Sequence, residues 1–165
     1  MSRTSGNTVT FGLDWHQVTL PVIQEPMKDA TRRLVVILRD MLILNPLPQL
    51  VTGESADSTL QMESDASNFA AFWRELLEQY PGEAYKEAFE FLRQSMPDLK
   101  SIQNLPSGKT SKSPEFVFPN DYRAALDELS DGEKCLVLAA YVNAWASVRE
   151  DCICLRDEPD NHISL

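Results

Sequence analysis

Positive charge is scarce in this chain. Lys and Arg number 15 against 25 Asp and Glu, leaving a net charge of −10 and a pI near 4.6. The basic residues are scattered and form no patch, which excludes a free-standing nucleic-acid-binding surface. Such a charge speaks for solubility, not for fold. Cysteine is equally sparse. Cys135, Cys152 and Cys154 are an odd count without regular spacing, which argues against a disulfide framework and for a reducing cytoplasm. Cys152 and Cys154 form C-x-C, and the only histidines, His16 and His162, offer no second metal-ligand pair. No zinc site is expected. Long apolar runs are also missing. The opening M-S-R-T-S-G-N-T has no apolar core, so no secretory signal is expected. The longest apolar region, Leu34 to Leu44, is broken by Arg39-Asp40 and is too short to span a membrane. No internal repeat or low-complexity tract is present.

What is there is globular. At 165 residues, 43% hydrophobic and 24% charged, the chain is one domain's worth, long enough for a real core. Val9, Phe11, Leu13 and Trp15 alternate with polar residues, the period of a half-buried strand. His16 falls on its polar side. Val18, Leu20 and Val22 continue it or form a partner strand, with Pro21 forcing an edge position. Asp29 to Leu44 reads as a helix stopped by Asn45-Pro46. Leu47 to Leu50 reads as extended, and Val51 to Ser67 as a polar, mobile loop. Phe69, Phe72, Trp73, Leu76, Leu77 and Tyr80 then fall at helical spacing, as do Tyr85, Ala88, Phe89, Leu92 and Met96. The Pro81-Gly82 link between the two stripes predicts an antiparallel helix pair. Aromatic stripes of this kind are core, not base-stacking surfaces. Leu99 to Leu105 and Glu115 to Phe118 read as strands joined by a turn. A short segment, Tyr122 to Leu126, then delivers the chain to its last quarter.

That last quarter carries the chemistry. Leu129-Ser130-Asp131-Gly132-Glu133-Lys134 opens a helix. Ser130 is a good N-cap, and Glu133, three residues later, completes a capping box. Asp131 and Glu133 also suit the partial positive charge of a helix N-terminus. A capping box does not require Gly132, which costs roughly 1 kcal/mol against alanine in a helix. A glycine there admits close approach by a phosphate or another backbone, and a helix N-terminus is a ready anion site. Cys135 to Val142 is apolar on every side and predicts a helix buried all round. Cys152-Ile153-Cys154-Leu155 reads as a strand covered on both faces. Asp157 and Glu158 fall just past its C-terminal end, where open α/β sheets place ligand chemistry.

L-S-D-G-E-K resembles the signature motif of ABC-type ATPases, and Ile153 to Asn161 resembles their Walker B strand. In this order, with one long helix between them, the two resemble the AAA-family ATPases of bacteria that share the ATPase head of SMC and DNA-repair proteins. The family also carries an N-P-x-P-x-L-x-x-G-E-S stretch, matched here by Asn45, Pro46, Pro48, Leu50, Gly53, Glu54 and Ser55, for which the sequence offers no mechanism. The resemblance covers roughly positions 30 to 165. It implies ATP and Mg²⁺ as cofactors. Ser130 and Gly132 would meet the γ-phosphate of ATP held by an opposing subunit, Asp157 would support the metal, and Glu158 would act as general base. The implied partners are a second copy or a complete ATPase subunit. Any nucleic acid would bind through parts outside this chain, and no membrane is involved.

Three features depart from the family. Arg156 stands where an apolar or aromatic residue usually precedes the aspartate. Ser164 lies near the usual place of the D-loop aspartate. No Walker A loop is recognisable, and the chain ends seven residues after Glu158, short of a switch histidine. Ser107-Gly108-Lys109-Thr110-Ser111 fails the Walker A pattern G-x-x-x-x-G-K-[ST]. Gln103 stands where the first glycine is needed, and Pro114 forbids a following long helix. A hairpin turn is expected there instead.

The expected fold is therefore α/β and α-rich, a partial P-loop NTPase head of the ABC type. A strand region (1–27), a helical lobe (28–105) with its helices over Asp65–Met96, a hairpin and linker (106–128), and the signature-to-Walker B block (129–165) would make one incomplete domain. The chain alone is expected neither to bind ATP tightly nor to hydrolyse it. A single strand of this kind, lacking neighbours, invites pairing with another chain. The alternative is an acidic, α-rich interaction protein that binds a partner ATPase or another protein, with no nucleotide activity.

Overall fold

A computed structural model describes residues 29–107, 111–149 and 152–157. The strands expected between Val9 and Val22, the turn residues 108–110, and Glu158 to Leu165 lie outside the described residues. The chain divides into two units, Met1–Arg39 and Asp40–Leu165. In the first, α1 (Asp29–Arg39) has an acid in its first turn and a base in its last, as the helix dipole favours.

The expected helix was longer. It stops at Arg39, and Leu42–Leu44 form a strand, β1. Two forces end it. Asn45-Pro46 disfavours helical backbone just downstream, and Leu42-Ile43-Leu44 finds a partner strand from the far end of the chain. That partner is β5 (Cys154–Arg156), parallel to β1, with Leu42 opposite Cys154, Ile43 opposite Leu155 and Leu44 opposite Arg156.

Between them run α2 (Phe69–Gln79), α3 (Glu83–Ser95), β2 (Ser101–Ser107), β3 (Ser111–Val117), β4 (Arg123–Ala125) and α4 (Asp131–Ser147). The fold is mixed α/β. β2, β3 and β4 make an antiparallel sheet in that order, a third strand added to the expected hairpin. Ser107 faces Ser111, so antiparallel strands flank the G-K-T segment, as a hairpin requires and a phosphate loop does not. Pro114 sits in the middle strand without harm. β4 pairs only with residues 115–117, so the missing N–H of Pro114 falls just outside that ladder.

α4 is the centre of the second unit. Val137, Leu138, Ala140, Tyr141, Ala144 and Trp145 are buried, each large side chain stabilising by ~1.5–3 kcal/mol. Phe69 of α2 meets the Tyr141 ring edge-on at 5.9 Å, and Trp73 lies 5.5 Å from it. The aromatic stripe of α2 is thus core. Ala84, Ala88 and Leu92 form the buried stripe of α3. The P-G link predicted α2 and α3 as antiparallel neighbours, and the two do touch. But α3 packs chiefly along α4, because α4 offers apolar surface over most of its circumference.

α4 runs antiparallel to the β1–β5 pair. Arg149, just past its C-terminus, forms an ion pair of 2.6 Å with Asp40, just before β1. Cys135, in its first turns, lies beside Arg156 at the end of β5.

Two expectations of complete burial fail. Ala139 and Val142 of α4 are only half-buried and Asn143 is exposed. On the strands, Ile153 is 40%, Leu155 53% and Ile43 58% exposed. A two-stranded sheet has α4 on one face only, and among the described residues nothing covers the other.

Three buried polar atoms on these core rings, Trp73 Nε1, Trp145 Nε1 and the Tyr141 hydroxyl, have no hydrogen-bond partner among the described residues. Burial pushes the Tyr141 hydroxyl well above the usual tyrosine range. Its folded value is raised, so its contribution is intact below the unfolded value of about 10. As pH climbs past that value the unfolded chain ionises first, and stability falls. Tyr141→Phe should therefore stabilise the protein by ~1 kcal/mol near neutral pH, since it removes an unpaired buried hydroxyl. It should also lessen the loss of stability above about pH 10. Urea unfolding of both proteins checks this; a Phe variant less stable at neutral pH would mean that the hydroxyl has a partner.

Candidate functional site

The first turn of α4 is built as its sequence predicts. Ser130 is the N-cap in extended conformation. Its hydroxyl accepts the Glu133 N–H at 3.3 Å and donates to the Glu133 carboxylate at 2.7 Å. The same carboxylate accepts the Ser130 N–H at 2.8 Å. Ser130 is exposed, and Asp131, Gly132 and Glu133 are half-buried. The amides of Asp131 and Gly132 are first in the helix and so have no intrahelical acceptor. Leu126 and Leu129, both buried, anchor the chain just upstream.

The stretch from Asn45 to Ser55, left without a role by the sequence, docks here. Pro48–Leu50 is a 3₁₀ turn, not extended chain, because Pro48 sets its backbone angle for a turn. The turn aims Gln49 at α4, where Nε2 donates to the Asp131 carboxylate at 2.8 Å. Four residues on, the Gly53 N–H donates to the Asp127 carboxylate at 3.1 Å. A Cβ on Gly53 would come within 2.8 Å of Ser113 Oγ and 3.3 Å of Pro114 Cδ. Glycine is needed for that approach.

The loop that follows is irregular but tied down. The Asn45 N–H donates to the Ser64 carbonyl at 2.7 Å and the Leu47 N–H to the Asp65 carbonyl at 3.0 Å. Asn68 accepts from the Glu63 N–H at 2.8 Å and donates to the Gln61 carbonyl at 2.9 Å. The Ser67 N–H donates to the Asp65 carboxylate and lowers its pKa.

Asp157 stands at the end of β5. It is exposed, and its N–H donates to the Leu44 carbonyl at 2.8 Å, carrying the β1–β5 ladder one residue further. Because α4 is antiparallel to β5, the Ser130 turn and Asp157 lie at one end of the sheet, its C-terminal edge. The Gln49–Asp131 bond repeats this placement, since Gln49 closely follows the end of β1. Glu158, the expected general base, lies outside the described residues. Cys135 beside Arg156 is buried, and burial raises the pKa of its thiol while Arg156 opposes the rise.

The exposed Asp157 suits Mg²⁺, which takes one or two carboxylates plus phosphate oxygens. Among the described residues no cluster of three His, Cys, Asp or Glu side chains could hold a metal alone. The amides of Asp131 and Gly132, which have no intrahelical acceptor, suit a phosphate, although the Glu133 carboxylate occupies the Ser130 hydroxyl. A phosphate reaching that hydroxyl would displace the carboxylate.

Sequence reasoning missed Gln49, Gly53 and Asp127 as supports of this turn. The N-P-x-P-x-L-x-x-G-E-S match was the signal. Gly53→Ala is expected to destabilise the protein by ~1–3 kcal/mol, the usual range for overpacking. Adding Ser113→Ala should recover part of that loss, because it removes the nearest clashing atom. Chemical denaturation of the single and double variants checks this; full additivity would place the strain elsewhere.

No protein-family model, curated protein or solved structure matches the chain.

Proposed function

We propose that the chain is the middle of an ABC-type ATPase head and works in the coupling of ATP binding and hydrolysis to head dimerisation. One observation carries this reading. Antiparallel packing of α4 on the parallel β1–β5 pair puts the Ser130-Asp131-Gly132 turn and Asp157 at the same sheet edge. That is the edge where open α/β sheets bind ligands. In the proposal Ser130 and the Gly132 amide hold the γ-phosphate of a nucleotide carried by an opposing subunit. Asp157 holds Mg²⁺, and Glu158 orients the attacking water. ATP with its metal supplies the phosphoryl chemistry, and this chain supplies donors and an acidic edge. The opposing subunit is a second copy or a complete head, in the cytoplasm.

Without a Walker A nest the β- and γ-phosphates lack their main cradle. The isolated chain is therefore expected to bind a labelled ATP analogue with Mg²⁺ weakly or not at all. Mixed with an intact ABC-type head carrying its own Walker A loop, it should associate only when Mg²⁺ and ATP are present. Gly132→Trp should abolish that association by filling the phosphate approach. Association independent of nucleotide, or unaffected by Gly132→Trp, would sink the reading. The first of those outcomes would favour an acidic interaction protein.

A further inference from the structure

The β1–β5 pair has too few neighbours for its chemistry. Parallel sheets occur almost always with both faces covered, and two strands alone are marginal in water. Here one face presents Ile43 and Leu155, register partners that are both more than half exposed. The other face, towards α4, leaves an apolar groove of about 340 Å³ lined by Leu44, Phe91, Leu138, Val142, Cys154 and Arg156.

Among the described residues the outer edge of β5 is unpaired as well. The Leu42 N–H donates to the Ile153 carbonyl, and the Asp157 N–H to the Leu44 carbonyl. Residues 153, 155 and 157 therefore turn their backbone groups to β1, and by strand alternation Cys154 and Arg156 turn theirs outwards. Among the described residues no strand pairs there.

Arg156 makes the groove selective. It is half-buried, its Nε is buried without an acceptor, and it has no carboxylate partner among the described residues. The Cys135 thiol lies beside it, where burial raises the pKa of that thiol and Arg156 opposes the rise; the neutral Asn143 also lines the groove. Among the described residues the guanidinium is thus a positive charge without an ion-pair partner, at the edge of an apolar groove in a chain of net charge −10. A second copy pairing β5 edge to edge would bring a second Arg156, a like charge, to the same surface.

We propose that the outer edge of β5 and its groove receive a β-strand from a different polypeptide, one that carries aliphatic residues and a carboxylate facing Arg156. Main-chain hydrogen bonds to Cys154 and Arg156 would supply affinity, and the carboxylate would supply register. This rests on the incomplete-head reading only in expecting a missing strand; it needs no nucleotide.

The probe is a fluorescein-labelled hexapeptide alternating valine and threonine with one central glutamate, titrated into the full chain by fluorescence anisotropy. Saturable binding is expected. Replacing the glutamate by lysine, or N-methylating the backbone amides, should each weaken it by about ten-fold or more. Arg156→Glu should reverse the preference, so that the lysine peptide binds better. Absence of saturation overturns the proposal, as does equal binding of the glutamate and lysine peptides. Equal binding of the N-methylated peptide also overturns it, in favour of a side-chain pocket. That probe acts on the unaltered protein, so it stands even if Arg156→Glu fails to fold. A chain that captures the peptide but never responds to Mg²⁺ and ATP keeps this inference and loses the ATPase reading.

Discussion

Burial of α4 is the constraint on which the second unit depends. A helix apolar over most of its circumference cannot face water, so other elements must gather round it. α3 lies along it, α2 brings Phe69 and Trp73 against Tyr141, and the β1–β5 pair covers part of another side. The Arg149–Asp40 ion pair at one end and the Cys135–Arg156 neighbourhood at the other fix its direction against the strands. Direction is what gives the fold its candidate site. Reversed, the same helix would place Ser130 and Asp157 at opposite ends of the sheet.

The Ser130 turn does not stand free. Gln49 reaches Asp131, and Gly53 reaches Asp127. Both belong to the segment that follows β1, and β1 is the strand to which Asp157 is tied through the Leu44 carbonyl. One short run of chain thus touches both halves of the candidate site. The carboxylates in this region are already engaged: Asp127 by the Gly53 amide, Asp131 by Gln49, Glu133 by Ser130. A phosphate reaching Ser130 would have to displace the Glu133 carboxylate from that hydroxyl and would meet the like charge of Asp131 beside it.

The same geometry that organises the site leaves surface unsatisfied. Two strands with α4 on one face put Ile43, Ile153 and Leu155 on the other. Such surface is ordinary in small isolated patches. Aligned by strand register beside an apolar groove and an arginine with no ion-pair partner among the described residues, it is a surface with a direction and a charge. Arg156 stands there half-buried, its Nε without an acceptor among the described residues.

Local interactions were legible in the sequence. The Ser130–Glu133 box, the helical stripes of α2 and α3, the apolar α4 and the hairpin around Ser107–Ser111 all follow from residues a few places apart. Capping, periodicity and turn chemistry act over that range. The tertiary structure alone decided what depends on partners distant in the chain. β1 left the expected helix because β5, more than a hundred residues on, offered a parallel ladder. α3 chose α4 over α2 because more apolar area was available there. The Asn45–Ser55 stretch acquired a role only when Asp127 and Asp131 arrived beside it. β5 came out half-bare because what covers a strand is set by the number of layers around it, which no strand encodes in its own residues.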